Sequence, residues 1–186
     1  MAARLLVQAL KSLRRTAVQR LPYLRRRHAW GYHLVPWNVL FANFLFQRIL
    51  RINADVPWSV HFSSRVISPQ NLHIGSGVGK SFAVSGCCYV QAMNRIEIGD
   101  GTIFSFGVGI ISANHEPGNL SQSRPDAPVR IGRHCWLGKN AIVLPGVELG
   151  DHCIVAAGAV VTKSFGPGST VAGVPARLIA SKDTAA

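Results

Sequence analysis

Acidic residues are scarce in this sequence: 8 Asp and Glu stand against 20 Lys and Arg in 186 residues, a formal net charge of +12. Residues 1–54 contain no acid and ten basic residues, whereas residues 55–186 hold ten basic and eight acidic ones. The excess therefore sits on an N-terminal arm, and the body of the chain is nearly neutral. That distribution speaks against nucleic acid as a partner, because its recognition needs a basic stripe on the folded domain. Cysteine is scarce too. Cys87, Cys88, Cys135 and Cys153 form no C-x-x-C pair and are too few for a disulfide framework, so a reducing, cytoplasmic setting fits. Long apolar runs are missing: Leu34 to Leu50 is broken by Asn38, Asn43, Gln47 and Arg48, short of the ~20 residues that span a bilayer. A Gly-x-Ser-x-Gly elbow is absent, and no cysteine is paired with a base, which argues against a covalent nucleophile.

What is present is a six-residue period. From Ile131 an aliphatic residue returns at Leu137, Val143, Leu149, Val155 and Val161. A second slot, four places on, holds Cys135, Ala141, Val147, Cys153 and Ala159, and the same phase appears upstream at Ile98, Phe104 and Ile110 with Thr102 and Val108. Six matches neither strand alternation nor the 3.6-residue helix, so the pattern predicts a β-solenoid whose two slots point into a narrow shaft. Residues one coil apart should stack in ladders about 4.8 Å apart. Glycine follows many aliphatic positions, as at Gly132, Gly138 and Gly150, and is expected there for backbone angles that other residues resist.

The phase breaks between Ile110 and Ile131. Asn114-His115-Glu116-Pro117-Gly118 and Arg124-Pro125-Asp126 read as a turn-rich loop, about 114–130, leaving the stack. Length suits one domain with an appendage: a basic amphipathic helical arm (1–54), a repeat domain (55–180) and a short disordered tail (181–186).

Three segments carry a resemblance: Ser112-Ala113-Asn114-His115 before the loop, Cys135-Trp136-Leu137-Gly138 after it, and the closing run with Val160-Val161-Thr162-Lys163 and Gly173-Val174-Pro175-Ala176-Arg177. Over about residues 60–180 the chain resembles the hexapeptide-repeat acyltransferases, which include the maltose and galactoside O-acetyltransferases. The resemblance implies an all-β, left-handed parallel β-helix, a homotrimer with active sites between subunits, and acetyl transfer from acetyl-CoA, as co-substrate, to a hydroxyl. A neutral imidazole suits proton removal from that hydroxyl, and His115 matches the family's catalytic histidine.

For coenzyme A the resemblance implies that Trp136 flanks the pantetheine arm and that Ser105, Lys139 and Ala157 line the groove. Thr162 and Lys163 lie beside it, and Arg177 meets the phosphate end. The sugar-holding asparagine of the sugar acetyltransferases is not met, since Ser85-Gly86-Cys87-Cys88 stands there. The acceptor is therefore expected to be another saccharide or glycolipid-type hydroxyl rather than maltose or a galactoside.

Two other readings stand beside this one. His115, His134 and His152 resemble the zinc site of the gamma-class carbonic anhydrases, although no metal site is expected here; a solenoid serving only as a scaffold is the non-catalytic reading. Basic and apolar residues mix from Arg4 to Arg27, followed by Trp30, Tyr32, Trp37 and Phe41. An arm of that kind suits peripheral contact of residues 1–50 with the cytoplasmic face of an anionic inner membrane. It also reads as an organellar targeting segment or as a cover for the end of the solenoid.

Overall fold

The structure, a computed structural model, describes residues 29–124 and 126–181. The Arg4 to Arg27 part of the arm and residues 182–186 of the tail lie outside the described residues. Strands of two to five residues dominate, and nearly all pair in parallel.

The strands stack into the three faces of a prism. Face A holds Arg65–Ile67, Tyr89–Gln91, Gly109–Ile111, Ile142–Val143 and Val160–Val161. Face B holds Leu72–Ile74, Ile96–Ile98, Val129–Ile131 and Glu148–Leu149, and face C holds Ile103–Phe104, Trp136–Leu137, Ile154–Val155 and Ser169–Ala172. The chain visits A, B and C in turn, so the six-residue period is one side of the prism. Register confirms it: Trp136 pairs with Ile154 and Ile142 with Val160, 18 residues apart.

Both repeat slots point into the shaft. Leu137, Val143, Val155 and Val161 are fully buried, as are Ala141, Cys153 and Ala159, and all four cysteines are free thiols. The residue between the two slots points outward and gives each face its character. Face B presents His73, Glu97, Arg130 and Glu148 in register, tied by ion pairs of Arg130 with Glu97 and Glu148. Face C presents Ile103, Trp136, Ile154 and Thr170 instead.

The glycines after the aliphatic slots have a different cause from the one expected. At Gly132 a Cβ would lie 2.6 Å from the backbone N of Asp151, and at Gly138 2.6 Å from that of Ala157, so these positions require close approach of coil to coil. The left-handed turn conformation falls two residues later, on His134, Asn140 and His152. Spacing in the sequence registers the glycine but not which of these two demands it meets.

At the C-terminal end of the prism the chain reverses, and Arg177–Ser181 pairs antiparallel to Ser169–Ala172. The other end is closed by helices, one of which the periodicity does not announce. Helix α1 (Trp37–Phe44) runs into a wider π-type turn, Leu45–Ile49, and helix α2 (Gly79–Val84) takes the place of a face C strand in the first coil. Phe82 of α2 plugs the shaft, its ring 4.9 Å from Phe104 and 5.6 Å from Trp58. Buried polar groups join the helices. Asn43 donates to Ala83 O (2.9 Å) and Ser59 Oγ (3.0 Å); Gln47 donates to Trp58 O (3.0 Å) and accepts from the N–H of Val60 (2.9 Å). Among the described residues no helix is long and apolar enough to cross a membrane.

Candidate active site

The excursion that breaks the period leaves the corner between faces A and B. Ile103 pairs with Trp136, 33 residues on, against 18 in the next coil, so fifteen residues leave the prism there. They form a hairpin, His115–Glu116 against Asn119–Ser123, with His115 exposed at its base.

Both ends of the hairpin are clamped to the solenoid. The buried Ser112 hydroxyl accepts the N–H of Asn94 (2.9 Å) and lies 2.8 Å from the carbonyls of Gln91 and Asn94. The Asn94 side chain donates to Ser112 O (2.8 Å) and Arg124 O (3.3 Å), spanning the two strands of the excursion. The N–H of Asn114 donates to Asp126 Oδ2 (2.8 Å), and Arg124 Nη2 pairs with Asp126 Oδ1 (2.9 Å). The Asn114 N–H, with help from Arg124, holds the Asp126 carboxyl below the usual carboxylate range. Sequence reading singled out His115; the groups that fix this corner are Asn94, Ser112 and Asp126. Asn94 lies 18 residues before Ser112, the length of one regular coil, and that spacing is the signal that could have found it.

The other candidates divide between two corners. Ser105, Lys139 and Ala157 lie on the corner between faces C and A, with Trp136, 51% exposed, on the adjoining face C. Arg177 stands at the C-terminal end of the same corner, pairing with Ala172. Lys139 lines a cavity of about 610 Å³ with Cys87, Phe106, Gly107 and Asn140, of which only Lys139 was singled out from the sequence. Thr162 and Lys163 follow face A in the last coil and share the A–B corner with His115, where Lys163 Nζ lies 5.7 Å from the Phe165 ring centre. Six residues separate successive corners, about 20 Å of extended chain.

The C–A corner has a chemical feature invisible in the sequence. Each turn there closes through Gly107 N–H to Gly86 O, Asn140 N–H to Phe106 O and Gly158 N–H to Lys139 O. The apex N–H groups of Phe106, Lys139 and Ala157 take no part and donate to no acceptor among the described residues. They form a row of outward donors along one edge, the arrangement that receives carbonyl or oxyanion oxygens. A concavity of about 800 Å³ along the charged face B contains none of the candidates.

His134 and His152 stack with ring centres 5.2 Å apart on the B–C corner, whereas His115 is on the A–B corner. The three histidines of the zinc reading are therefore not brought together within the chain. Among the described residues no group of three or more His, Cys, Asp or Glu could hold a metal ion.

Comparison with known proteins agrees with this architecture. The family model for the hexapeptide repeat of succinyl-transferase matches residues 128–163. WbbJ of Escherichia coli (strain K12), assigned by its name to lipopolysaccharide biosynthesis as an O-acetyl transferase, is 30% identical over 181 residues, 86% of this chain and 92% of that protein. Galactoside O-acetyltransferase of the same strain is 29% identical over 130 residues, 68% of this chain and 60% of that one. This chain spans between 52% and 60% of the length of that relative and two further ones. Serine acetyltransferase of Neisseria gonorrhoeae superposes with a TM-score of 0.53 at 19% identity, covering 96% of this chain and 68% of that one, a likeness in fold. The prism is thus a left-handed parallel β-helix, and the chain belongs to the hexapeptide-repeat acetyltransferase family.

Proposed function

We propose that this protein is an acyl-CoA-dependent O-acetyltransferase that acetylates a hydroxyl of a saccharide or glycolipid-type acceptor. The observation that carries the reading is the row of free N–H donors at Phe106, Lys139 and Ala157, beside exposed Trp136, on a corner that a clamped His115 can serve from another copy. Transfer is direct. His115 takes the acceptor's hydroxyl proton as the oxygen attacks the thioester carbonyl; the C–S bond breaks, and the proton passes to the departing CoA sulfur. The apex N–H row supplies donors for the oxyanion and for the amide carbonyls of the pantetheine arm, flanked by Trp136 and edged by Ser105. Lys139 and Arg177 meet phosphate oxygens as charge-assisted donors.

Division of the candidates between two corners supports a homotrimer. One copy would bring His115, Thr162 and Lys163 to the C–A corner of the next. The outward row of face A, Tyr89, Gly109, Ile142 and Val160 beyond Arg65, and that of face C flank this corner and suit such an interface better than the charged face B. The same reading puts the protein in the cytoplasm, where acetyl-CoA is available, in peripheral contact with the membrane through residues 1–50. WbbJ's name supports a lipopolysaccharide-type acceptor.

His115→Ala tests the assignment. It should lower CoA release with a responsive saccharide acceptor by about a thousandfold, within the range for loss of a general base. Unchanged turnover would remove His115 from the chemistry, and a light-scattering mass near 20.1 kDa would remove the trimer.

A further inference from the structure

Helix α1 and the turn that follows it are inverted in polarity. Their inward side is held by amides: Asn43 and Gln47 are 1% and 3% exposed and hydrogen-bonded to Ser59, Ala83, Trp58 and Val60. Their outward side is apolar. Trp37, Phe41 and Phe44 are 60%, 64% and 55% exposed and, with Arg48, follow the i, i+4, i+7, i+11 spacing of a single helical stripe. Folding left these rings outside although Val39 and Leu40 beside them pack partly buried against the core. The stripe borders a concavity of about 520 Å³ whose other wall includes Trp30, Pro57 and Trp58. The indole N–H of Trp58 is buried and has no hydrogen-bond partner among the described residues. Leu34, Ile49 and Leu50 extend the exposed apolar surface at both ends.

Charge decides what such a surface faces. The described residues 29–54 contain Arg48 and Arg51 and no acid, and the chain entering them brings eight further Lys or Arg, also without an acid. Aromatic rings beside unopposed cations complement the headgroup region of an anionic bilayer, where rings reach the acyl boundary and cations meet phosphates. A protein partner would need an acidic groove matched to the stripe; an anionic lipid surface needs no such match.

We infer that the Trp37, Phe41, Phe44 and Arg48 stripe is an interfacial wedge that seats the N-terminal end of the solenoid in an anionic lipid surface. This deepens the peripheral contact of the proposed function and rests on it. The wedge locates that contact in a folded, inside-out element rather than in the basic arm alone, and it stands the solenoid with its α2-plugged end toward the membrane.

The test uses the full chain, sedimented with vesicles of phosphatidylcholine and phosphatidylglycerol in equal amounts or of phosphatidylcholine alone. Acetyl-CoA turnover on a soluble acceptor is followed in parallel. Wild type should sediment with the anionic vesicles only. Trp37→Ala/Phe41→Ala/Phe44→Ala should lose at least tenfold in vesicle affinity with turnover unchanged, and Phe41→Glu, a gentler change to the fold, should show the same split. Equal binding by wild type and Phe41→Glu would overturn the wedge and leave the basic arm as the contact. Absence of wild-type binding would overturn it as well, and a drop in light-scattering mass on Phe41→Glu would then identify a second copy as the true occupant. Turnover that persists without vesicle binding separates failure of the wedge from failure of the transferase reading.

Discussion

The B–C and C–A corners of the prism have the same turn and opposite chemistry. At the B–C corner the apex N–H of Arg133 donates to Asp151 Oδ1 (2.7 Å) and that of Ser76 to Asp100 Oδ1 (2.7 Å), so alternate coils are capped by a carboxylate from the next. At the C–A corner Lys139 holds the place of Arg133, and Ala157, which has no side-chain acceptor, holds the place of Asp151. The apex N–H stays free. Between these two coils a single residue, Asp151 or Ala157, decides whether the apex N–H is capped or left as a donor. The small side chain at Ala157 is required as much for the hydrogen bond it does not make as for the space it leaves.

Exchanging these chemistries gives the largest expected effect. Ala157→Asp should cap the Lys139 N–H as Asp151 caps Arg133, and should raise the KM for acetyl-CoA about a hundredfold, the equivalent of ~3 kcal/mol from one lost hydrogen bond and the repulsion between the new carboxylate and the CoA phosphates. Thermal stability should hold or rise. A KM within twofold of wild type would mean that the donor row takes no part in binding.

A smaller effect is expected at the hairpin. Asp126→Ala removes the acceptor of the Asn114 N–H and should lower kcat about tenfold by loosening His115, with the KM for acetyl-CoA unchanged. Because the folded protein holds the Asp126 carboxyl below its usual value, its contribution is fully present above about pH 4 and is lost as pH falls through the lowered value. The amide resonances of residues 115–123 should therefore shift in acid in wild type and not in Asp126→Asn.

The smallest effect belongs to the opposite corner. Asp151→Ala should cost about 1 kcal/mol in denaturant unfolding, since it frees one N–H, and should leave turnover alone. Lost activity would bring the B–C corner, with His134 and His152, back into the chemistry.

Much of the shaft was legible because burial repeats with the chain: every aliphatic slot from Ile131 to Val161 is an inward position, and the break after Ile110 is the hairpin that carries His115. Helix α2 was not legible. Gly79 to Val84 is too short to display a helical period, and what selects it is Phe82 filling a shaft end that exists only once the coils are stacked. Asn43 and Gln47 read as interruptions of an apolar run, and they turned out to be the anchors of α1 because carbonyls from distant segments meet them. Thr162 and Lys163, read as lying beside the groove of Ser105 and Lys139, stand within one chain on a different corner from it.

By itself the sequence determined the period, the inward residues, the place of the excursion and the family, because each is local or repeats along the chain. The tertiary structure decided which corner is open and which is capped, since that depends on the residue one coil away. It also decided how the candidates divide and which way α1 faces, because side chains far apart in sequence compete there for the same backbone groups.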